Sequence, residues 1–397
     1  MSKIPVYLDF NATTPLSNEV LQKLPELVQF WGNPSSIHQA SRPPKTILRE
    51  TKRKLAEYFK CSPLEIIFNS GASEGNNTVL KSVWNTYRPG NHFQNPVKNE
   101  FIISSVEHPS VMKTAEYLKS EGAVIHYIPV NRQGEIDLHF IKNKISEKTA
   151  LISCMFANNE TGTVFPIKEI SQLAREHQVL VHSDCVQAFG KTTINLEEIK
   201  VDYATFSAHK FYALKGCGVL YVKKGSPYIN LVHGGGQERS RRGGTENILG
   251  IASLEVMMGQ IHHVSEKEQS IQKLRDLFET EILKQIPDIK ITCGTTKRLA
   301  NTSSLIIPGV DGETLLVSLD LKGYEVSTGA ACSSGNPEPS PVLLAFGLTK
   351  QEAQNSLRVS LGWSTTEKQI TEFINVLRDT VDRLRAINQQ HAESTSL

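Results

Sequence analysis

Short runs that are apolar at nearly every position constrain this chain more than any other feature. Between about residue 60 and residue 225 they recur: Ile66-Ile67-Phe68, Phe101-Ile102-Ile103, Ala150-Leu151-Ile152-Ser153-Cys154-Met155, Val179-Leu180-Val181 and Gly218-Val219-Leu220-Tyr221-Val222. A strand with one wet face alternates apolar and polar residues, whereas a strand with no polar face must be covered on both sides. Between these runs Ser110 to Lys119 and Pro166 to Gln178 carry helical spacing. The pattern predicts a mostly parallel sheet with helices on each face, an α/β domain. In such a sheet functional groups gather outside the carboxyl ends of the strands.

The texture changes after about residue 255. A polar helical stretch, Glu266 to Gln285, leads to Ile289-Lys290-Ile291 and then to Ser303-Ser304-Leu305-Ile306-Ile307. Helical Glu313 to Leu319 follows, then strand-like Leu357-Arg358-Val359-Ser360-Leu361 and a last helix from about Thr366 to Ile387. This predicts a smaller α+β domain. The expected division is a large domain over 15–260 and a small one built from 1–14 and 261–397. Residues Asn388 to Leu397 are polar and expected to fray.

Composition mainly excludes. With 43 basic and 41 acidic side chains, the chain has no electrostatic footprint for direct nucleic-acid or anionic-membrane binding. No apolar stretch approaches the ~20 residues of a membrane helix, and Met1-Ser2-Lys3-Ile4-Pro5 lacks a signal-peptide pattern. The six cysteines show neither zinc-site nor disulfide spacing. Thiols left reduced point to the cytoplasm.

The chemistry concentrates at strand ends. Lys210, in Ser207-Ala208-His209-Lys210, follows the strand-like run Tyr203-Ala204-Thr205-Phe206, and Asp184 closes Val179-Leu180-Val181-His182-Ser183. A lysine and a carboxylate so placed suit a pyridoxal-phosphate enzyme: the lysine takes the aldehyde, and the carboxylate keeps the pyridine nitrogen protonated. A surface lysine and a capping aspartate are the structural alternatives. Gly71-Ala72-Ser73-Glu74-Gly75 turns from a strand into a helix and could offer N–H groups to a phosphate, with Ser207 and His209 as further donors. Arg239, Arg241 and Arg242 precede Gly243-Gly244-Thr245, which suggests an anion-facing loop or a subunit contact. His108, after a strand, could stack on a flat ring and move protons, or be structural. Asn159 and Gln187 could bond a cofactor or substrate.

Two more residues stand apart. Cys332 lies among glycine, serine and proline in Ser327-Thr328-Gly329-Ala330-Ala331-Cys332-Ser333-Ser334-Gly335-Asn336-Pro337, a loop composition in which a thiol can be exposed and nucleophilic. Cys154 lies in an apolar strand and reads as inert filling. Arg358, a charge inside an apolar run, wants a carboxylate: a substrate's, taken bidentately, or one from the chain itself.

Taken together these segments resemble the cysteine desulfurases of fold-type I, within class V of the aminotransferases. The resemblance starts at Tyr7-Leu8-Asp9-Phe10-Asn11-Ala12-Thr13-Thr14-Pro15, passes through Gly32-Asn33-Pro34-Ser35-Ser36 and ends at Ser356-Leu357-Arg358-Val359-Ser360-Leu361-Gly362, nearly the whole chain. It implies a large domain with a mostly parallel seven-stranded sheet, pyridoxal 5′-phosphate as cofactor and a homodimer. By motif, Lys210 would bind the cofactor covalently, Asp184 would pair with its ring nitrogen, and His108 would stack on the ring and act in acid–base steps. Ala72, Ser73, Ser207 and His209 would hold the phosphate, with Thr245 reaching it from the other subunit. Asn159 and Gln187 would contact the cofactor; Arg358, with Asn33 and Asn159, would bind substrate.

The implied reaction removes sulfur from L-cysteine, releases L-alanine and leaves a persulfide on Cys332. A protein acceptor, such as an iron–sulfur scaffold or a tRNA-thiolation enzyme, would take that sulfur. No metal is implied beyond a transient iron–sulfur contact at Cys332. The loop ending in Glu338-Pro339-Ser340 resembles the first of the two desulfurase groups. The chain departs from the family pattern at Cys185 beside Asp184, at Phe211-Tyr212-Ala213-Leu214-Lys215 and in its C-terminal tail, which leaves the acceptor open. A selenocysteine lyase or another β-eliminating lyase is the nearest alternative, and a cofactor-free interaction protein is the alternative of another class.

Overall fold

A computed structural model describes residues 5–91, 96–328 and 338–395. Among these residues twelve strands fall in three sheets. In chain order they are β1 (Val6–Tyr7), β2 (Ile66–Asn69), β3 (Glu100–Ser104), β4 (Val124–Ile128), β5 (Thr149–Ser153), β6 (Leu180–Asp184), β7 (Tyr203–Ser207), β8 (Gly218–Val222), β9 (Lys290–Ile291), β10 (Thr302–Ile306), β11 (Tyr324–Glu325) and β12 (Ser356–Ser360). The large sheet has seven strands in the order β2-β8-β7-β6-β5-β3-β4. Only β8 runs against its neighbours β2 and β7, and the remaining pairs are parallel.

The sheet's apolar residues feed two cores, as strands without a polar face must. Ile66, Phe68, Ile102, Ile152, Val181, Ala204 and Phe206 pack on one side. Ile67, Phe101, Ile103, Leu151 and Tyr203 pack on the other. Helices Ala72–Tyr87, Pro109–Ser120 and Ile167–Glu176 lie between strands in sequence and supply the cover.

A third core joins Val6 and Leu8 to Ile271, Phe278, Ile282, Leu305, Leu357, Val359 and Phe373. The antiparallel sheet β12-β10-β9 and the parallel pair β1-β11 belong to this part of the molecule. The N-terminal segment therefore lies with chain from beyond residue 270, while Phe10, two residues after Leu8, packs into the first core.

One expectation needs correction, and one strand was not anticipated. The chain does not fray at Asn388: the last helix runs Glu367–Thr395. Glutamine, alanine and glutamate sustain a helix without an apolar face, and Asn388 Nδ2 donates to Gly309 O at 3.0 Å. Strand β4 had no sequence signature, because it is the sheet's edge and begins on an exposed valine.

The divergent run after Lys210 begins as packing, with Phe211, Tyr212 and Ala213 buried, and ends at an exposed Lys215. The Phe211 ring is fully buried, 4.9 Å from Phe189 and 5.7 Å from Trp363 between centroids. A Cβ on Gly190, whose φ is +74°, would stand 2.1 Å from that ring, so both conformation and space require glycine there. Cys185 is likewise buried in the first core.

Candidate active site

The carboxyl ends of β2, β3, β5, β6 and β7 open onto one cavity of about 690 Å³, where a parallel sheet places its functional groups. Its wall takes Gly71, Ala72, Ser73 and Glu74 from the turn after β2, and His108 and Ser110 from the start of the helix after β3. Asn159 follows β5, Asp184 and Gln187 follow the path out of β6, and Ser207, His209 and Lys210 close β7. Asn11 and Ala12 come from the N-terminal segment and Arg358 from β12.

Lys210 ends the short 3-10 turn after β7. Its Nζ donates to the main-chain carbonyls of Asn11 and Ala12, each at 2.5 Å. Burial and the Arg358 charge push its pKa down to about 8, against the opposing pull of Asp9 and Asp184. Near neutral pH such an amine is partly unprotonated and able to act as nucleophile or base.

Asp184 is buried and held from two sides. Its Oδ2 accepts from Asn76 Nδ2 at 2.8 Å and its Oδ1 from the Val186 N–H at 3.0 Å. Asn76, itself fully buried, donates its second amide hydrogen to Ser110 Oγ at 2.8 Å and accepts from Thr205 Oγ1 at 2.6 Å.

His108 caps the helix beginning at Pro109. Its Nδ1 accepts from the Ser110 N–H at 3.1 Å and therefore also accepts from Ser110 Oγ, 2.8 Å away. Nδ1 has no hydrogen in this arrangement, so the neutral ring carries it on Nε2. The ring opens to the cavity but is backed by protein; that lost hydration depresses its pKa, the Lys210 charge adds to the effect, and Asp184 opposes it. His209 has its Nδ1 3.0 Å from Thr13 Oγ1, and burial with the charges of Lys210 and Lys215 pushes it down to about 4. At physiological pH it is a neutral ring.

Arg358 is 7% exposed. Its Nη2 donates to Asp9 Oδ1 at 2.7 Å and its Nη1 to Asn159 O at 3.2 Å, while its buried Nε has no partner among the described residues. Gln187 Nε2 donates to Asn11 O at 3.0 Å.

Two expected site residues do not line this cavity. Asn33 is exposed, with its Oδ1 accepting the Ser35 N–H at 2.8 Å in a local turn. Thr245 is exposed outside the cavity. Cys332 lies outside the described residues. Two of the arginines before Thr245 bond within the chain: Arg242 forks onto the Glu74 carboxylate at 2.9 and 3.1 Å, and Arg241 donates to Leu64 O at 2.8 Å, while Arg239 is exposed.

The comparisons with known proteins decide the family. The aminotransferase class-V family matches residues 6–373. The chain belongs to the class-V aminotransferases. A relative named "Cysteine desulfurase IscS" from Dictyoglomus turgidum is 40% identical over 98% of both chains. A solved NifS-like protein superposes with a TM-score of 0.87 at 33% identity, covering 96% of this chain and all of its own. A NifS-like protein from Rickettsia africae gives 0.85 at 30% identity, over 95% and 99%.

Class-V aminotransferases depend on pyridoxal phosphate, and the cavity fits that group. An amine of lowered pKa meets a buried, hydrogen-bonded carboxylate across one space. The helix starting at Ala72 turns its first-turn N–H groups toward the cradle. A Cβ on Gly71 would project to 4.0 Å from Ser207 Oγ, into the space a phosphate needs. Among the described residues no group of three or more metal-ligating side chains forms a metal site, and no helix is long and apolar enough to cross a membrane.

Sequence reasoning missed Asn11, Asn76, Ser110 and Lys191, because each acts on another side chain. One signal was present: Gln187 and Lys191 stand four residues apart and bond through Lys191 Nζ and Gln187 Oε1 at 2.5 Å.

Proposed function

We propose that the protein is a pyridoxal-phosphate-dependent cysteine desulfurase that takes sulfur from L-cysteine, releases L-alanine and carries the sulfur as a persulfide on Cys332. The observation that carries this reading is the convergence of the Lys210 amine, the anchored Asp184 carboxylate and the Arg358 guanidinium on one cavity. The identity to a named cysteine desulfurase over nearly the whole chain supports the choice of reaction.

In this reading Lys210 would bind the cofactor covalently, Asp184 would pair with its ring nitrogen, and His108 would stack on the ring and act in acid–base steps. Ala72, Ser73, Ser207 and His209 receive the phosphate. The bound cofactor supplies an electron sink that makes the α-proton of the substrate removable. Arg358 receives the substrate carboxylate, its orientation set by Asp9 and the Asn159 carbonyl. Lys210, with a pKa of about 8, is matched to taking the α-proton near neutral pH. The thiolate of Cys332 then attacks the substrate sulfur, and the electron pair of the broken carbon–sulfur bond leaves with the alanine portion.

The same proposal includes a large domain over 15–260 with a small one from 1–14 and 261–397. It includes a homodimer in which Thr245 serves the other subunit's cavity, and its exposure outside its own cavity is consistent with that use. The acceptor would be a protein, an iron–sulfur scaffold or a tRNA-thiolation enzyme, and the compartment the cytoplasm, where thiols stay reduced.

The test is Cys332→Ala. The variant keeps the visible absorbance of bound cofactor but loses alanine and sulfide formation from L-cysteine by at least ~100-fold. Undiminished sulfide release would overturn the desulfurase reading and point to a lyase, which needs no protein thiol.

A further inference from the structure

Lys191 is a lysine whose amine turns inward without a carboxylate to meet it. Its Nζ donates to Gln187 Oε1 at 2.5 Å and to Asn11 Oδ1 at 2.7 Å, both neutral carbonyl oxygens. Burial above all holds its pKa well below that of an ordinary lysine; Lys210 and Arg358 repel it, and Asp9 attracts it. Asp9 is itself engaged with Arg358. An ammonium placed this way carries a desolvation cost that hydrogen bonds to two neutral oxygens offset only in part.

What those bonds do is set the polarity of two amides. The oxygen and nitrogen ends of an amide have nearly the same shape, so their partners decide which way each points. Lys191 spends hydrogens on both contacts, so Gln187 and Asn11 turn their oxygens toward it, and Asn301 Nδ2 adds a second donor to Asn11 Oδ1 at 3.0 Å. Asn11 Nδ2 then donates to Asn159 O at 3.0 Å and Thr302 Oγ1 at 2.9 Å. Gln187 is left with its NH₂ at the cavity wall, bonded to Asn11 O at 3.0 Å, and that same carbonyl accepts from Lys210.

We propose that Lys191 is a positioning residue: it fixes the Gln187 amide so that an N–H faces the ring oxygen of the cofactor, and it keeps the Asn11 carbonyl beside the Lys210 amine. This rests on the cofactor-binding reading above and assigns Lys191 no contact with substrate or cofactor. A lysine that only filled space would affect stability alone.

The test follows the visible absorbance of the bound cofactor against pH in wild type, Lys191→Met, Lys191→Arg, Gln187→Leu and the double variant Lys191→Met/Gln187→Leu. Losing the donor aimed at the ring oxygen raises the titration midpoint by about one pH unit in Lys191→Met. Gln187→Leu shifts it the same way, and the double variant shifts it no further than the larger single change. Lys191→Arg, which keeps donors and charge, stays near the wild-type midpoint. An unmoved midpoint in Lys191→Met, or shifts that add in the double variant, overturns the proposal. If Lys191→Met does not fold, Lys191→Arg decides: a midpoint displaced by a full unit overturns the proposal, and a wild-type midpoint supports it. Wild-type protein that develops no visible band with pyridoxal phosphate instead overturns the cofactor reading itself.

Discussion

Arg358 reaches the cavity with part of its donor set already committed, Nη2 to Asp9 and Nη1 to the Asn159 carbonyl, while its buried Nε has no partner among the described residues. A planar fork held on two sides cannot be copied by an ammonium on a flexible stem. Replacing it by lysine leaves Asp9 in place but loses the geometry for a carboxylate. Arg358→Lys is expected to raise KM for L-cysteine ~10–100-fold, which is about 1.5–3 kcal/mol of lost charged hydrogen bonding. Steady-state kinetics measures this, and the absorbance of bound cofactor is expected to stay unchanged, since the role proposed for Arg358 is toward the substrate. The described thiols offer no rival to Cys332: burial pushes Cys61 and Cys217 up to about 12 and raises Cys154, Cys185 and Cys293.

At the scale of the element, β6 turns His182 and Asp184 to the same face, two residues apart. His182 is fully buried; its Nδ1 lies 2.8 Å from Ser153 Oγ, and its Nε2 has no partner among the described residues. Burial pushes it down to about 4, with Asp184 opposing. Its ordinary value is 6.5, so between pH 6.5 and 4 the unfolded chain binds a proton that the folded chain refuses. Stability therefore falls as pH drops through this window and is not further affected by His182 below it. His182→Gln is expected to flatten that part of the stability–pH curve, whatever its effect at pH 7, as urea unfolding at a series of pH values would show.

Elements also explain what the sequence made legible. Strands β2, β3, β5, β6 and β8 could be read because strands with apolar residues on both faces need cover on both sides. Strand β4 could not, since His126 and Tyr127 on a half-exposed edge carry no period. The last helix beyond Ile387 was hidden because polar helix formers look like a solvated tail. Around the cavity, Lys210, Asp184 and His108 were readable because chemistry needs those residue types beyond strand ends, and Arg358 because a charge inside an apolar run needs a partner. Asn76 and Ser110 were not: their work is to hold Asp184 and His108, and nothing in an isolated asparagine or serine declares a partner 34 residues away.

Across the whole molecule, the N-terminal segment ties the parts together. Val6 and Leu8 belong to the core built from residues beyond 270, Phe10 to the core of the large sheet, and Asn11 and Ala12 to the cavity. Leu8 is fully buried, and Leu8→Ala is expected to cost about 2–5 kcal/mol in urea unfolding. Because the same stretch presents the acceptors of Lys210, affinity for pyridoxal phosphate should fall alongside stability; a variant with full cofactor affinity at reduced stability would separate the two.

The acceptors that hold the Lys210 amine are main-chain carbonyls, and every amino acid has one. Substitution at position 12 could change the letter and leave the oxygen where it is. A resting place of this kind is inherited through the path of the backbone rather than through any residue identity. Two proteins could therefore share it while their sequences agree at neither position, and it would become visible only when their structures are laid over one another.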